Sequence, residues 1–153
     1  MTALTVHMVA RDAARAAAWY AEAFGAEERG RIAVPDGRLM QVELWFGDSQ
    51  VMVSDEFPEL GVVSPETLEG SPVVLHLRCA DVDAAWRRAL AAGAIVRQPL
   101  ADQVWGERYG QLIDPFGHRW GLATHLRDVP PDEVAAAIAG LFGPGSVSES
   151  KKS

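Results

Sequence analysis

The chain repeats itself at an offset of about 70 residues, and this repeat restricts the folds that are open to it. His7–Ala26 resembles His76–Ala94: each histidine lies five residues before an aspartate, and each segment ends in Gly-Ala. Trp45–Asp55 likewise resembles Pro115–His125. With 153 residues in all, each copy is too small to be an independent domain, so the copies must share one core.

The repeat predicts the domain organisation. We expect one domain over residues 1–126, made of module 4–55 and module 73–126 and joined by linker 56–72. The linker contains prolines, glutamates and glycines without clear periodicity, which is typical of a connector. A helix over residues 129–141 and a disordered tail over residues 143–153 follow it.

Hydrophobic alternation predicts the same order of elements in both modules. Residues 4–10 and 73–79 alternate as strands with one apolar face do, and Asp12 is a good N-cap for the Ala-rich helix that follows. Residues 114–117, Asp-Pro-Phe-Gly, are typical of a tight turn between strands, and His118 is expected to satisfy backbone groups of that turn. We therefore predict an α+β fold in which two βαβββ modules form a curved, mostly antiparallel eight-stranded sheet around a cavity, with the helices outside.

Composition and charge exclude several classes of partner. The formal charge of −7 disfavours binding to nucleic acid. The sequence has no apolar run long enough to span a membrane and no signal-peptide pattern, and its single cysteine, Cys79, cannot form an internal disulfide. We expect a cytoplasmic protein that binds neither membrane nor nucleic acid.

Motifs in both modules resemble the vicinal oxygen chelate superfamily, which includes glyoxalase I, bleomycin-resistance proteins and extradiol dioxygenases. They are Trp19-Tyr20-Ala21-Glu22-Ala23-Phe24-Gly25 in the first module and Asp114-Pro115-Phe116-Gly117-His118-Arg119-Trp120 in the second. The second motif, together with Ser54-Asp55-Glu56, is similar to the PhnB-like branch. The resemblance covers residues 4 to about 126 and implies the same two-module fold.

The resemblance also implies where a metal ion would be bound. In metal-using members, the first strand of each module supplies one ligand and the last strand a carboxylate. Alignment on the helix starts puts the first-strand positions at Thr5 and Val74, and alignment on the turn glycines puts the carboxylate positions at Val51 and Gly121. None of the four is a usual ligand for a divalent ion, so the usual metal site and its cofactor are expected to be absent.

A second metal site remains open as an alternative. His7 and His76 lie two residues beyond the vacant first-strand positions, and Glu43 lies on a neighbouring strand. These three are a possible ligand set for zinc, nickel or iron, which would make the protein a metal-dependent lyase, isomerase or dioxygenase. Equally, the two histidines can bind each other, water or a ligand, so the sequence leaves open whether the protein is an enzyme.

Polar and aromatic side chains occupy the strand faces opposite the apolar ones. Because side chains alternate along a strand, we predict that one cavity is lined by His7, Gln41, Glu43, Trp45, His76, Tyr109 and Gln111. The aromatic rings, with Trp105 as a further candidate, offer flat faces for an aromatic or cationic ligand. The repeat also pairs Gln41 with Gln111.

The leading functional hypothesis is a glyoxalase/bleomycin-resistance-like protein. It binds a small, partly aromatic molecule in the cavity between its sheets, without the superfamily's usual metal site. Each module also exposes a strand edge and half of a cavity that a second copy would complete, so we predict a homodimer.

Overall fold

Each module folds into a helix and a four-stranded sheet, in the order that the hydrophobic pattern predicts. The computed structural model describes residues 1–143, and most of the predicted disordered tail lies outside the described residues. The first module contains β1 (Val6–Val9), α1 (Ala13–Phe24), β2 (Glu27–Ala33), β3 (Leu39–Phe46) and β4 (Ser49–Ser54). The second contains β5 (Val74–Arg78), α3 (Val82–Ala91), β6 (Ile95–Asp102), β7 (Glu107–Ile113) and β8 (Arg119–His125).

The strands form two separate sheets rather than one. Their orders are β1-β4-β3-β2 and β5-β8-β7-β6, with the pairs β1–β4 and β5–β8 parallel and the other pairs antiparallel. This confirms the α+β class and the two βαβββ modules. The prediction of a single eight-stranded sheet is wrong. Alternation within a strand shows which of its faces is buried, but it does not show which strand pairs with its edge.

Helix α1 begins and ends where its sequence predicts. The Asp12 side chain accepts a hydrogen bond from the Arg15 backbone N–H at 3.0 Å, and Gly25 adopts the left-handed conformation at φ 72°. Asp81 caps α3 in the same way, through the Ala84 N–H at 3.1 Å. Helix α4 (Pro131–Leu141) begins two residues later than predicted. None of the helices in residues 1–143 is long and apolar enough to cross a membrane.

The linker is ordered by its own hydrogen bonds. It contains a 3-10 turn (Pro58–Leu60) and the short helix α2 (Pro65–Leu68). The Glu56 carboxylate accepts hydrogen bonds from the hydroxyls of Ser64 and Thr67, and these bonds, the Ser64 one first, lower the pKa of Glu56. Pro65 packs against Gly117, where φ is 90° and an added Cβ would lie 2.9 Å from the Pro65 Cβ. This close approach requires glycine at the turn.

The turn between β7 and β8 is built around the Asp114 carboxylate. This side chain is 3% exposed, and its Oδ1 accepts hydrogen bonds from the backbone N–H groups of Phe116 at 2.8 Å and His118 at 3.0 Å. Its Oδ2 accepts from Trp120 Nε1 at 2.8 Å and from the Tyr20 hydroxyl. The turn is therefore confirmed, and Tyr20 connects it to the first module.

Two further contacts join the modules. His118 Nε2 donates to the Val9 carbonyl oxygen at 2.8 Å, so the expectation that this side chain satisfies its own turn is wrong. Trp19 Nε1 donates to the Ala92 carbonyl oxygen at 2.7 Å. Around these bonds lies an aromatic cluster that consists of Trp19, Tyr20, Phe24, Phe46, Phe116 and Trp120. The modules thus meet mainly through α1, which contacts α3 and the β7–β8 turn, and His118 of that turn also binds the end of β1.

We expect Tyr20→Phe to lower the free energy of unfolding by about 1.5–3 kcal/mol, the usual range for a hydrogen bond to a charged group. Burial, and then the adjacent Asp114 carboxylate, raise the pKa of Tyr20 well above its ordinary value of 10.0. Because the pKa of Tyr20 is higher in the folded state than in the unfolded state, its hydroxyl contributes its full stability at pH values below the unfolded-state pKa. That stability is lost as the pH rises toward the folded-state pKa. Urea denaturation of both proteins from neutral to alkaline pH measures it. The variant should lose less stability than wild type above about pH 10. Equal losses would show that Tyr20 is not the group whose raised pKa makes the stability depend on pH.

Candidate functional site

A cavity lies between the unpaired edges of the two sheets. Its volume is about 780 Å³, within the range of small-molecule sites, and we call it the inter-module cavity. The first module contributes Val6, Gln50 and Val51 to its wall. The second module contributes mainly β5, whose alternation directs Val74, His76 and Arg78 to the same face of the strand.

The second sheet carries an ordered group of side chains on the face opposite its helix. We call it the aromatic–acidic cluster, and it consists of His76, Trp105, Glu107, Tyr109 and Gln111. The His76 ring stacks on Tyr109 with centroids 5.5 Å apart, and Trp105 meets Tyr109 edge-on at 5.5 Å. The three β7 members lie at alternate positions, which places them on one face of the sheet.

Hydrogen bonds hold this cluster in place. Trp105 Nε1 donates to Glu107 Oε1 at 2.7 Å, and Gln111 Nε2 donates to the Tyr109 hydroxyl at 2.8 Å. The other oxygen of Glu107 lies 3.5 Å from His76 Nε2. The His76 side chain is 40% exposed and that of Glu107 is 14% exposed, so the ring is accessible while the carboxylate lies deeper.

The first sheet carries the other predicted site residues on its own open face. His7 pairs with Met52, and Met52 pairs with Glu43, so these three form a row across the sheet. Trp45 Nε1 donates to Glu43 Oε1 at 2.7 Å, and the Arg29 guanidinium lies 4.5 Å from the centre of the Trp45 ring. Trp45 therefore already binds a cation from its own chain.

The structure brings the predicted residues together in two sets rather than one. His76, Tyr109 and Gln111 are in contact with one another, and so are Glu43 and Trp45. Of all seven, only His76 lines the inter-module cavity. Within residues 1–143, no three His, Cys, Asp or Glu side chains form a group that could hold a metal ion, so His7, His76 and Glu43 do not form one within a single chain. That both sets line one cavity stays a prediction.

The sheet register confirms one repeat equivalence and corrects another. His7 pairs with Met52, as His76 pairs with Gly121, so the two histidines are equivalent. Gln111 also pairs with Gly121 and therefore corresponds to Glu43, not to Gln41 as the sequence alignment has it. Two one-residue shifts cause the correction: β4 and β8 are already displaced by one residue from the alignment on Gly47 and Gly117, and the β7–β8 turn is one residue longer than the β3–β4 turn.

The strand register also corrects one of the four positions that the resemblance implies for a metal ligand, from Val51 to Met52. The equivalent of Gly121 in the first module is Met52, whereas Val51 pairs with Leu44, which lies in the core. At Gly121 an added Cβ would lie 2.7 Å from Tyr109 Cε2 and from the Tyr109 hydroxyl oxygen. The Tyr109 ring thus occupies the space into which a side chain at this position would extend.

Glu107 is the member of the cluster that the sequence analysis did not identify. The signal was present, because Glu107 lies two residues before Tyr109 and four before Gln111, on the same strand face. Its importance depends on Trp105 and His76, which approach it from outside β7. Alternation along β7 does not predict these two contacts.

We expect Gly121→Ala to lower the free energy of unfolding by about 1–3 kcal/mol, because the new methyl group would collide with the Tyr109 ring. Tyr109→Ala removes that ring, so the same change at Gly121 should be nearly neutral in the Tyr109→Ala background. A double-mutant cycle measured by urea denaturation tests the coupling. Additive effects would show that the two residues do not compete for this space.

Comparisons with known proteins agree with the fold. The profile of the Glyoxalase/Bleomycin resistance protein/Dioxygenase superfamily matches residues 3–122. The protein Mb0911c of Mycobacterium bovis is 45% identical over 140 residues, which cover 90% of this chain and 92% of that protein. The crystal structure of TioX from Micromonospora sp. ML1 is 28% identical with a TM-score of 0.63, and the match covers 82% of this chain and 100% of TioX.

A PhnB protein from Bacillus cereus also has this fold. The TM-score is 0.61 at 16% identity, and the match covers 80% of this chain and 99% of that one, which shows similarity of fold alone. The profile match extends over both modules and ends within β8, as the sequence motifs imply. The chain therefore belongs to the glyoxalase/bleomycin resistance protein/dioxygenase superfamily.

Proposed function

We propose that this protein binds a small, partly aromatic molecule in the inter-module cavity and against the aromatic–acidic cluster. The observation that carries the proposal is the stack of His76 on Tyr109, with Trp105 at its edge. His76 belongs to the cluster and also lines the cavity, so a ligand in the cavity would reach the stacked rings.

The charges of the cluster favour a ligand that carries a hydrogen-bond donor or a positive charge. Glu107 has one oxygen held by Trp105, and its second oxygen is directed toward His76. A carboxylate in this position can accept a hydrogen bond from a ligand whose ring lies over the aromatic side chains. The Arg29 contact with Trp45 in the other module is an internal example of a cation bound in this way.

Binding in this proposal does not use the superfamily's usual metal. The Tyr109 ring fills the space beside Gly121, and the equivalent position in the first module is Met52. Thioether and ring groups do not provide the oxygen or nitrogen ligands that most divalent ions prefer. Shape, stacking and a few polar groups are sufficient for a binding protein.

We further propose that the protein is a homodimer in which a second copy covers the open sheet faces. Every residue of β2 is exposed, and Ile32 on this strand is 57% exposed. Open sheet faces and edges of this kind are commonly covered by a partner. Such a partner would allow the set on the first sheet, which has His7 and Glu43, to lie opposite the aromatic–acidic cluster of the other copy.

Binding can be tested with 9-aminoacridine, a flat cationic probe, by the quenching of tryptophan fluorescence. We expect saturable binding that survives a metal chelator, and Tyr109→Leu should weaken it by about tenfold, the loss expected when a cation–π contact is removed. Phe142→Leu is the matched control, because it removes an exposed aromatic ring after α4. Equal affinities in wild type and Tyr109→Leu, or affinity that disappears with the chelator, would refute the proposal.

Light scattering after size-exclusion chromatography tests the dimer. We expect about twice the chain mass of 16.5 kDa for wild type. Ile32→Asp should shift the protein to the monomer mass, because it buries a charge in the proposed contact. Leu60→Asp, at a residue that is 65% exposed in the linker, is the control and should remain dimeric. A monomer mass for wild type at all concentrations would exclude the dimer.

A further inference from the structure

We infer that the protein has a second ligand site, which binds a small organic oxyanion between Arg97 and Arg119. Both arginines line a cavity of about 360 Å³ together with Gly70, Ser71, Ile113 and Gly117. We call it the arginine pocket. It lies where the end of the linker meets the β7–β8 turn, and it has no lining residue in common with the inter-module cavity.

The strongest observation is an unpaired donor on Arg119. Its Nε atom is shielded from solvent and has no hydrogen-bond partner within residues 1–143. A guanidinium group is always charged in proteins, and a donor removed from water without an acceptor is unfavourable. Buried polar groups of this kind are normally satisfied by water, an ion or a ligand. No residue of the described part of the chain neutralises this guanidinium, and because its Nε is enclosed, a ligand in the pocket would reach it through the terminal nitrogens.

Arg97 adds a second positive charge to the same pocket. Among the described residues, no carboxylate lies within 4.0 Å of either guanidinium, although the chain has 21 acidic residues. Some other arginines do form ion pairs, as Arg38 does with Asp36 and Arg108 does with Asp83. Two unpaired arginines that share one pocket are the arrangement that recognises carboxylates and phosphates.

The other lining groups indicate the class of ligand. The Ser71 hydroxyl has no hydrogen-bond partner in the described part of the chain and can donate to an oxyanion. Ile113 provides an apolar surface, and the pocket is larger than an inorganic ion requires. A Cβ built at Gly70 meets no atom within 4 Å, so the pocket is open beside the linker. These features fit a carboxylate or a phosphate group carried by a small organic molecule.

Isothermal titration calorimetry at low ionic strength tests the inference with two probes, inorganic phosphate and benzoate. We expect saturable binding of at least one probe to the full chain, and the stronger probe identifies which oxyanion the pocket prefers. Arg119→Gln and Arg97→Gln should each weaken that binding by about tenfold or more, the loss expected for a hydrogen bond to a charged group. Arg119→Lys keeps the charge but not the planar fork of donors, so it should also weaken binding.

Arg87→Gln is the matched control, since Arg87 is exposed on α3 outside the pocket and its removal changes the net charge equally. Its affinity should equal that of wild type. If Arg119→Gln does not fold, Arg97→Gln and Ser71→Ala carry the test, because neither residue is fully buried. No saturable binding by wild type, or equal weakening in Arg87→Gln, would overturn the inference. Neither result depends on the proposed function, which concerns another cavity.

Discussion

The arrangement of the whole chain depends on the buried carboxylate of Asp114. A carboxylate removed from water is strongly unfavourable unless its oxygens are satisfied, and here four donors satisfy them. Two are backbone groups of its own turn, one is the Trp120 indole, and the last is the hydroxyl of Tyr20 in the other module. One side chain therefore sets the geometry of the β7–β8 turn and joins it to α1.

This junction explains why the sheet faces remain open. The modules meet through α1, the β7–β8 turn and the aromatic cluster, so β1 and β5 stay at the edges of their own sheets. The gap between those edges is the inter-module cavity, and its wall includes His76. The cavity thus results from the way the modules are joined, as well as from the residues on the strands.

The two modules have the same topology but different chemistry on their open faces. His7 and His76 are equivalent, yet the next position in each row is Met52 in one sheet and Gly121 in the other, which makes room for Tyr109. A tryptophan that donates to a glutamate occurs on both faces, at positions that are not equivalent. The two modules therefore carry different arrangements of aromatic and acidic groups on their open faces.

The sequence by itself determined the local elements, the duplication and the superfamily. Strand alternation, the caps at Asp12 and Asp81 and the turn at Asp114 depend on neighbours within a few residues, so they can be recognised from a single sequence. Alternation also grouped Tyr109 with Gln111 and Glu43 with Trp45, two pairs whose side chains are in contact. Features that depend on a few neighbouring residues can therefore be predicted from the sequence alone.

Only the tertiary structure decided how these parts combine. The bond from His118 to Val9 spans 109 residues, and no local pattern indicates it. The register of the strands, together with a β7–β8 turn that is one residue longer than the β3–β4 turn, moved the repeat equivalent of Gln111 from Gln41 to Glu43, and this becomes visible only when strands are paired. Glu107 acquires its contacts from Trp105 and His76, which lie outside β7, and packing leaves the Arg119 Nε buried without a partner in residues 1–143. Long-range packing, which a single sequence does not encode in any short window, decided these features.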